Sequence, residues 1–118
     1  MVHRDLKQRT KLFVLAVIIF VESLPKSRTA EIIGRQLLRS GTSVGANYRS
    51  ACRARSAADF IAKMTIVEEE IDECIYWMEL LIESGTIELK NASSLMKEAN
   101  ELLAITVASI KTARKNRK

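Results

Sequence analysis

Aromatic residues, glycine and proline are all scarce in this chain of 118 residues. Phe, Tyr and Trp together make up 5% of it, and it has four glycines and one proline. So few glycines and prolines exclude an all-β fold, which needs many tight turns. Apolar residues nevertheless reach 47% of the chain, which favours long helices joined by short loops. We therefore predict an all-α fold in a single domain, residues 1–118.

Histidine and cysteine are also rare, which removes most catalytic and metal-binding arrangements. His3 is the one histidine, and a di-iron bundle needs two Glu-x-x-His motifs. Cys52 and Cys74 lie in helical patterns and are predicted to be buried, reduced thiols rather than a disulfide or redox pair. The acidic run at residues 68–70 is predicted to be a solvated helix face. We expect no enzymatic activity, no metal and no cofactor.

The chain has no hydrophobic run long enough to cross a membrane. Its longest one, LFVLAVIIFV at residues 12–21, is about half of the roughly 20 residues that a bilayer requires. A basic start before an apolar run also resembles a signal peptide, but the following ESLPKSRTA is charged and has no small-x-small cleavage site. We therefore expect a cytoplasmic protein. Because the run is apolar on every side, we expect another subunit to cover what the bundle does not.

The stretch at residues 57–85 has the clearest helical pattern. Its apolar residues recur with alternating gaps of four and three, which keeps one stripe facing partner helices over about six turns. Ser56 or Asp59 is predicted to cap its start, and Gly85 to end it in a left-handed conformation. The predicted buried stripe consists of Phe60, Met64, Val67, Ile71, Cys74, Met78 and Leu81.

Three other segments have helical periodicity, and short links join all four. Pro25 ends the first. Gly34, Gly41 and Gly45 lie inside the second, which we interpret as one continuous helix whose glycines permit close backbone approach; the alternative is a break near Gly41. Short connections predict an antiparallel up-down-up-down four-helix bundle. The predicted helices span residues 5–24, 28–53, 57–84 and 91–115.

Charge is unevenly distributed along the chain. Residues 1–55 carry eleven Lys/Arg against three acids, residues 56–101 carry three against eleven, and residues 102–118 carry five bases and no acid. The predicted topology brings the start of the first helix, the turn between the second and third, and the end of the fourth to one end of the bundle. We call this end the basic pole.

Helix dipoles explain cations near helix C-termini, but not those at the start of the first helix. We therefore predict that the basic pole binds the phosphates of RNA or DNA, with strong salt dependence and weak sequence selectivity. The pole also holds Lys63, Arg117 and Lys118. The residues predicted to contact nucleic acid are Arg4, Lys7, Arg9, Lys11, Arg49, Arg53, Arg55, Lys111, Arg114 and Lys115.

The segment at residues 36–81 resembles a known signature, that of the four-helix-bundle proteins encoded in intervening sequences of bacterial 23S ribosomal RNA genes. The resemblance extends over roughly residues 10–110. The family often has an acidic residue soon after the pair Asn47-Tyr48, and this chain has none at residues 49–52. The match rests on Gln36, Leu37, Arg39, Ser40, Ser43, Val44, Ala46, Asn47, Tyr48, Ser56, Asp59, Phe60, Lys63, Glu69, Glu73, Tyr76, Trp77, Leu80 and Leu81.

This resemblance implies a ring-like homopentamer and implies no enzymatic activity. Accessory proteins of diversity-generating retroelements are similar in fold, form pentamers and bind nucleic acid together with a reverse transcriptase. By analogy, nucleic-acid binding is the expected function here. The alternative is a protein-interaction scaffold, or an accessory subunit of another polypeptide, that does not bind nucleic acid itself. Binding to an anionic membrane surface is a third alternative.

Overall fold

The computed structural model describes residues 2–117, with side chains from residue 6 onward. These residues form a rod of 50 × 20 × 20 Å, and they contain no strand, so the predicted all-α class is confirmed. The helices are α1 (Val2–Glu22), α2 (Arg28–Cys52), α3 (Ala57–Glu83) and α4 (Ser93–Asn116), with a 3₁₀ turn at Leu89–Asn91.

The four helices pack in chain order. α1 lies against α2, α2 against α3 and α3 against α4, and α1 returns to contact α4 at a thinner interface. Because the connections are short, consecutive helices are antiparallel. The predicted four-helix bundle is confirmed.

Helix α3 supplies the largest share of the core. Its predicted stripe is fully buried from Met64 to Leu81, while Phe60 is half-buried at the basic pole. The Ser56 hydroxyl accepts a hydrogen bond from the Asp59 backbone N–H at 3.0 Å and caps the helix. Gly85 follows the helix with φ of +79°. The cap and the terminating glycine were both predicted from local sequence.

Three helix boundaries differ from the prediction by two residues or more. α1 begins at Val2 instead of residue 5. α1 ends at Glu22 instead of residue 24, because the Ser23 hydroxyl donates to the Phe20 carbonyl at 2.7 Å and the chain turns before the proline. α4 begins at Ser93 instead of residue 91, because the preceding residues Leu89–Asn91 form a 3₁₀ turn. Short turns at helix ends depend on side-chain hydrogen bonds that periodicity does not report.

Helix α2 is continuous through its glycines, as interpreted from the sequence, and Ser27 caps it. A Cβ at Gly41 would lie 2.8 Å from Cγ1 of Val17, and one at Gly45 would lie 2.8 Å from Cγ2 of Val14. Real Cβ atoms do not approach so closely, so the absence of side chains at these positions is what lets α1 lie against α2.

We expect Gly41→Ala to destabilise the bundle by about 1 kcal/mol. Alanine gains about 1 kcal/mol in helix propensity, but overpacking against the fully buried, β-branched Val17 costs about 1–3 kcal/mol. Gly34→Ala is the control, because its Cβ would lie 3.0 Å from the end of the flexible Leu24 side chain and 3.5 Å, an ordinary contact distance, from Cγ1 of Val21. It should be as stable as wild type or more so. Urea unfolding measures both, and equal stability of the two variants would contradict this packing.

Helix α1 has a second apolar side that lies outside the bundle. Phe13 and Val17 are buried, whereas Leu12, Leu15 and Ile19 are 54%, 48% and 71% exposed. Ile18 is also exposed. We call Leu12, Leu15, Ile18 and Ile19 the outer α1 face. Within residues 2–117, no helix combines the length and hydropathy needed to cross a membrane.

The two cysteines differ in burial, and the prediction that both are buried is wrong for Cys52. Cys52 is exposed because it is the last residue of α2, where neighbouring helices no longer cover its side. Cys74 is buried, with Sγ 3.4 Å from Oγ of Ser40, and burial raises the pKa of its thiol to about 11. Ser40 is twelve residues before Cys52, or about 18 Å along the helix, so the geometry does not permit a disulfide.

Candidate nucleic-acid interface

The basic pole is assembled from the ends of all four helices. Phe60, in the first turn of α3, lines one cavity together with Lys7 of α1 and Cys52 of α2. It lines a second cavity with Thr112 and Asn116 at the end of α4. Phe60 therefore links the start of α1, the α2–α3 turn and the end of α4, which is the juxtaposition that the topology predicted.

On one side of the pole, α1 and α2 border a groove of about 620 Å³, which we call the α1–α2 groove. Lys7 and Lys11 of α1 and Arg49 of α2 line it, and all three are exposed. Among the described residues that line the groove, none is acidic. The close contact between Val14 and Gly45 forms its floor. Cations and an apolar surface are thus presented together.

Arg9 is differently placed from the other predicted residues. Its guanidinium donates to both carboxylate oxygens of Glu98, at 3.0 and 2.7 Å, and to Glu101 at 3.0 Å. The hydrogen bond to Glu98 is the main reason that the pKa of Arg9 is raised. Two carboxylates therefore neutralise the Arg9 cation. These ion pairs connect α1 with α4 and weaken the attraction of Arg9 for an anionic ligand.

At the α2–α3 turn and the end of α4 the predicted cations are exposed. Asp59, in the first turn of α3, is held by Lys63 at 2.9 Å, and that hydrogen bond lowers the pKa of the carboxyl group. The side chain of Arg4 lies outside the described residues. At these two places, the predicted cations that are exposed and form no ion pair with a described residue are Arg53, Arg55, Lys111, Arg114 and Lys115.

The acidic side of α3 is occupied by contacts within the bundle. Arg39 of α2 pairs with Glu70 at 3.5 Å and with Glu73, and the Trp77 indole N–H donates to Glu73 at 3.2 Å. In the part of the chain that the structure describes, no group of His, Cys, Asp or Glu is placed to hold a metal ion. Of the acidic run at residues 68–70, Glu70 is therefore paired with a neighbouring helix, whereas Glu69 is exposed, as predicted for a solvated face.

Sequence reasoning missed the uncharged part of the α1–α2 groove. Thr42 and Ala46 form its α2 wall, and Tyr48 lies below them, almost fully buried. Burial, and to a lesser extent a hydrogen bond with Cys52, raises the pKa of the Tyr48 phenol. The phenol therefore stays neutral. Small residues at positions 42, 45 and 46 share one face of a helix. That spacing was the available signal.

Known proteins provide a comparison with this architecture. The model of the family "23S rRNA-intervening sequence protein" matches residues 4–108. A similar solved structure is that of a protein of unknown function from the S23 ribosomal protein family of Bacteroides thetaiotaomicron VPI-5482. It is 33% identical with a TM-score of 0.88, and the match covers 94% of this chain and 99% of that one. No curated protein matches. With the family signature, the bundle and the spacing of its core in agreement, the chain belongs to the 23S rRNA-intervening sequence protein family.

Proposed function

We propose that this protein is a non-enzymatic homo-oligomer that binds nucleic acid through its basic pole. The observation that carries the proposal is the group of exposed, unpaired cations contributed by different helices to one end of the rod. Phosphate backbones are the common cellular ligand for such a surface, since neutralising them releases counterions.

Self-association is supported by the outer α1 face. Exposed apolar residues that are contiguous on one helix mark an interaction surface, and a second copy of this chain is a partner that is always present. A cyclic assembly places every protomer in the same orientation along its axis. All basic poles would then form one cationic surface. The resemblance to the family suggests five subunits.

Weak sequence selectivity follows from the chemistry of the pole. Lys and Arg reach phosphates readily, and phosphate contacts carry no sequence information by themselves. The exposed Tyr76 and its neighbour Trp77, with ring centroids 5.2 Å apart, lie about 28 Å along α3 from its start. They are therefore too far from the pole to read bases there.

A salt titration tests this proposal directly. Fluorescence anisotropy with labelled duplex, single-stranded and hybrid oligonucleotides should show binding at about 50 mM salt. If six or more phosphates are neutralised by the assembly, affinity should fall about 10³-fold or more at about 200 mM. Absence of binding at low salt, or binding that is indifferent to salt, would contradict the proposal.

The outer α1 face also favours a second candidate function, a scaffold for another polypeptide. This function requires the face to remain open in the isolated protein. It predicts a monomer that captures its partner through α1 without binding oligonucleotides. The mass in solution and the same anisotropy titration distinguish it from the first proposal.

A further inference from the structure

We propose that the α1–α2 groove binds single-stranded nucleic acid, with a phosphate held at its rim and the attached base and sugar against its apolar wall. This inference rests on the proposed function and specifies which form of nucleic acid the groove accepts. The observation that supports it is that the α1–α2 groove combines three cations with an uncharged interior.

The rim of the groove is arranged for a phosphate. Lys7 and Lys11 are one turn apart on α1, so their Cβ atoms are about 5–6 Å apart. Arg49 extends from the opposite helix. None of these three forms an ion pair within the described residues. An anion that enters between them therefore replaces water rather than a protein carboxylate.

The interior of the groove is arranged for an uncharged group. Ala46 borders it on α2, outside the outer α1 face, and Val14 packed on Gly45 closes its floor. The Tyr48 phenol below is neutral, so it does not repel a ligand that carries phosphate. Packed helices are in contact, with axes about 8–10 Å apart, so the groove is a surface channel along their junction and is too narrow to take in a duplex.

These features favour a single strand over a duplex. A duplex keeps its bases paired inside and uses only a cationic surface, whereas proteins that bind single strands combine a basic groove with surfaces for exposed bases. The wall here is aliphatic instead of aromatic, so it accepts any base. The groove therefore adds affinity for single strands without adding sequence selectivity.

The test fills the groove without changing its charge. Ala46 is exposed on α2, and Ala46→Phe places a ring in the trough. Ala62→Phe is the matched control, because Ala62 is exposed on α3 and does not line the groove. Anisotropy at about 50 mM salt should show that Ala46→Phe lowers the affinity of the protein for a single-stranded 12-mer about 10-fold. Affinity for a 12-base-pair duplex should change less than about twofold. Ala62→Phe should change neither.

Several results would overturn the inference. They are an unchanged single-strand affinity in Ala46→Phe, an equal loss for both probes, or a wild-type preference for the duplex. An acidic amphipathic peptide whose binding is lost in Ala46→Phe while the 12-mer still binds would assign the groove to a protein ligand. Wild type that binds neither probe contradicts the proposed function itself, before any variant is made. If circular dichroism shows Ala46→Phe to be unfolded, Thr42→Phe fills the same groove from another exposed position.

Discussion

Ile19→Glu should reduce the assembly to a monomer of 13.3 kDa. Ile19, at 71% exposure, is the most exposed residue of the outer α1 face, with Leu12 and Leu15 on the same side of the helix. Burying a carboxylate without a partner in an apolar interface costs several kcal/mol or more. The remaining apolar contacts of the face do not offset this cost, so association becomes unfavourable. Light scattering after size exclusion measures the mass directly.

Ile32→Glu is the control for this change. Ile32 is also an exposed isoleucine on a helix, but it lies on α2 at 53% exposure, away from the outer α1 face. Its variant should keep the mass of the wild type. Neither substitution touches the core, so helical content should be unchanged in both. A monomeric wild type, or an Ile19→Glu variant that stays assembled, would contradict self-association through this face.

Dissociation should also affect nucleic-acid binding. Linked copies of a weak site bind a continuous strand with an avidity that single copies lack. The monomeric variant should therefore bind more weakly and with a shallower dependence on salt, although its own basic pole is unchanged.

Local sequence was sufficient to predict most of the bundle. The apolar stripe of α3, its Ser56 cap and the terminating Gly85 are each determined by neighbouring residues, so the sequence reported them reliably. The continuous α2 was a choice between two interpretations. The structure decides it through the contact of Gly41 with Val17, a residue of another helix.

The contacts between side chains of different helices at the candidate site could not be predicted from the sequence. Arg9 and Glu98 are 89 residues apart, and their pairing depends on the rotation of α1 and α4 about their own axes. Periodicity gives the buried side of each helix but not the register between two helices. Cys52 shows the same limitation, since its position on an apolar stripe did not reveal that the stripe leaves the core at the helix end.

Reversing four cations of the basic pole should abolish most nucleic-acid binding. Lys7, Lys11, Arg114 and Lys115 are exposed, so changing all four to glutamate removes phosphate contacts without disturbing the core. We expect affinity at about 50 mM salt to fall about 100-fold or more. The slope of log affinity against log salt should become shallower by about four for each protomer whose contacts are lost. Size exclusion should show an intact assembly, because none of these residues belongs to the outer α1 face.

An equal number of reversals elsewhere separates the position of the charges from their sum. Lys26, Arg28, Lys90 and Lys97 are exposed and lie outside the basic pole, and their glutamate variant has the same net charge as the first. If binding requires the pole, this second variant keeps most of its affinity, with a small uniform loss from long-range repulsion that salt screens. If both variants lose affinity equally, net charge alone attracts the nucleic acid. The convergence of the helix ends would then have no role in binding.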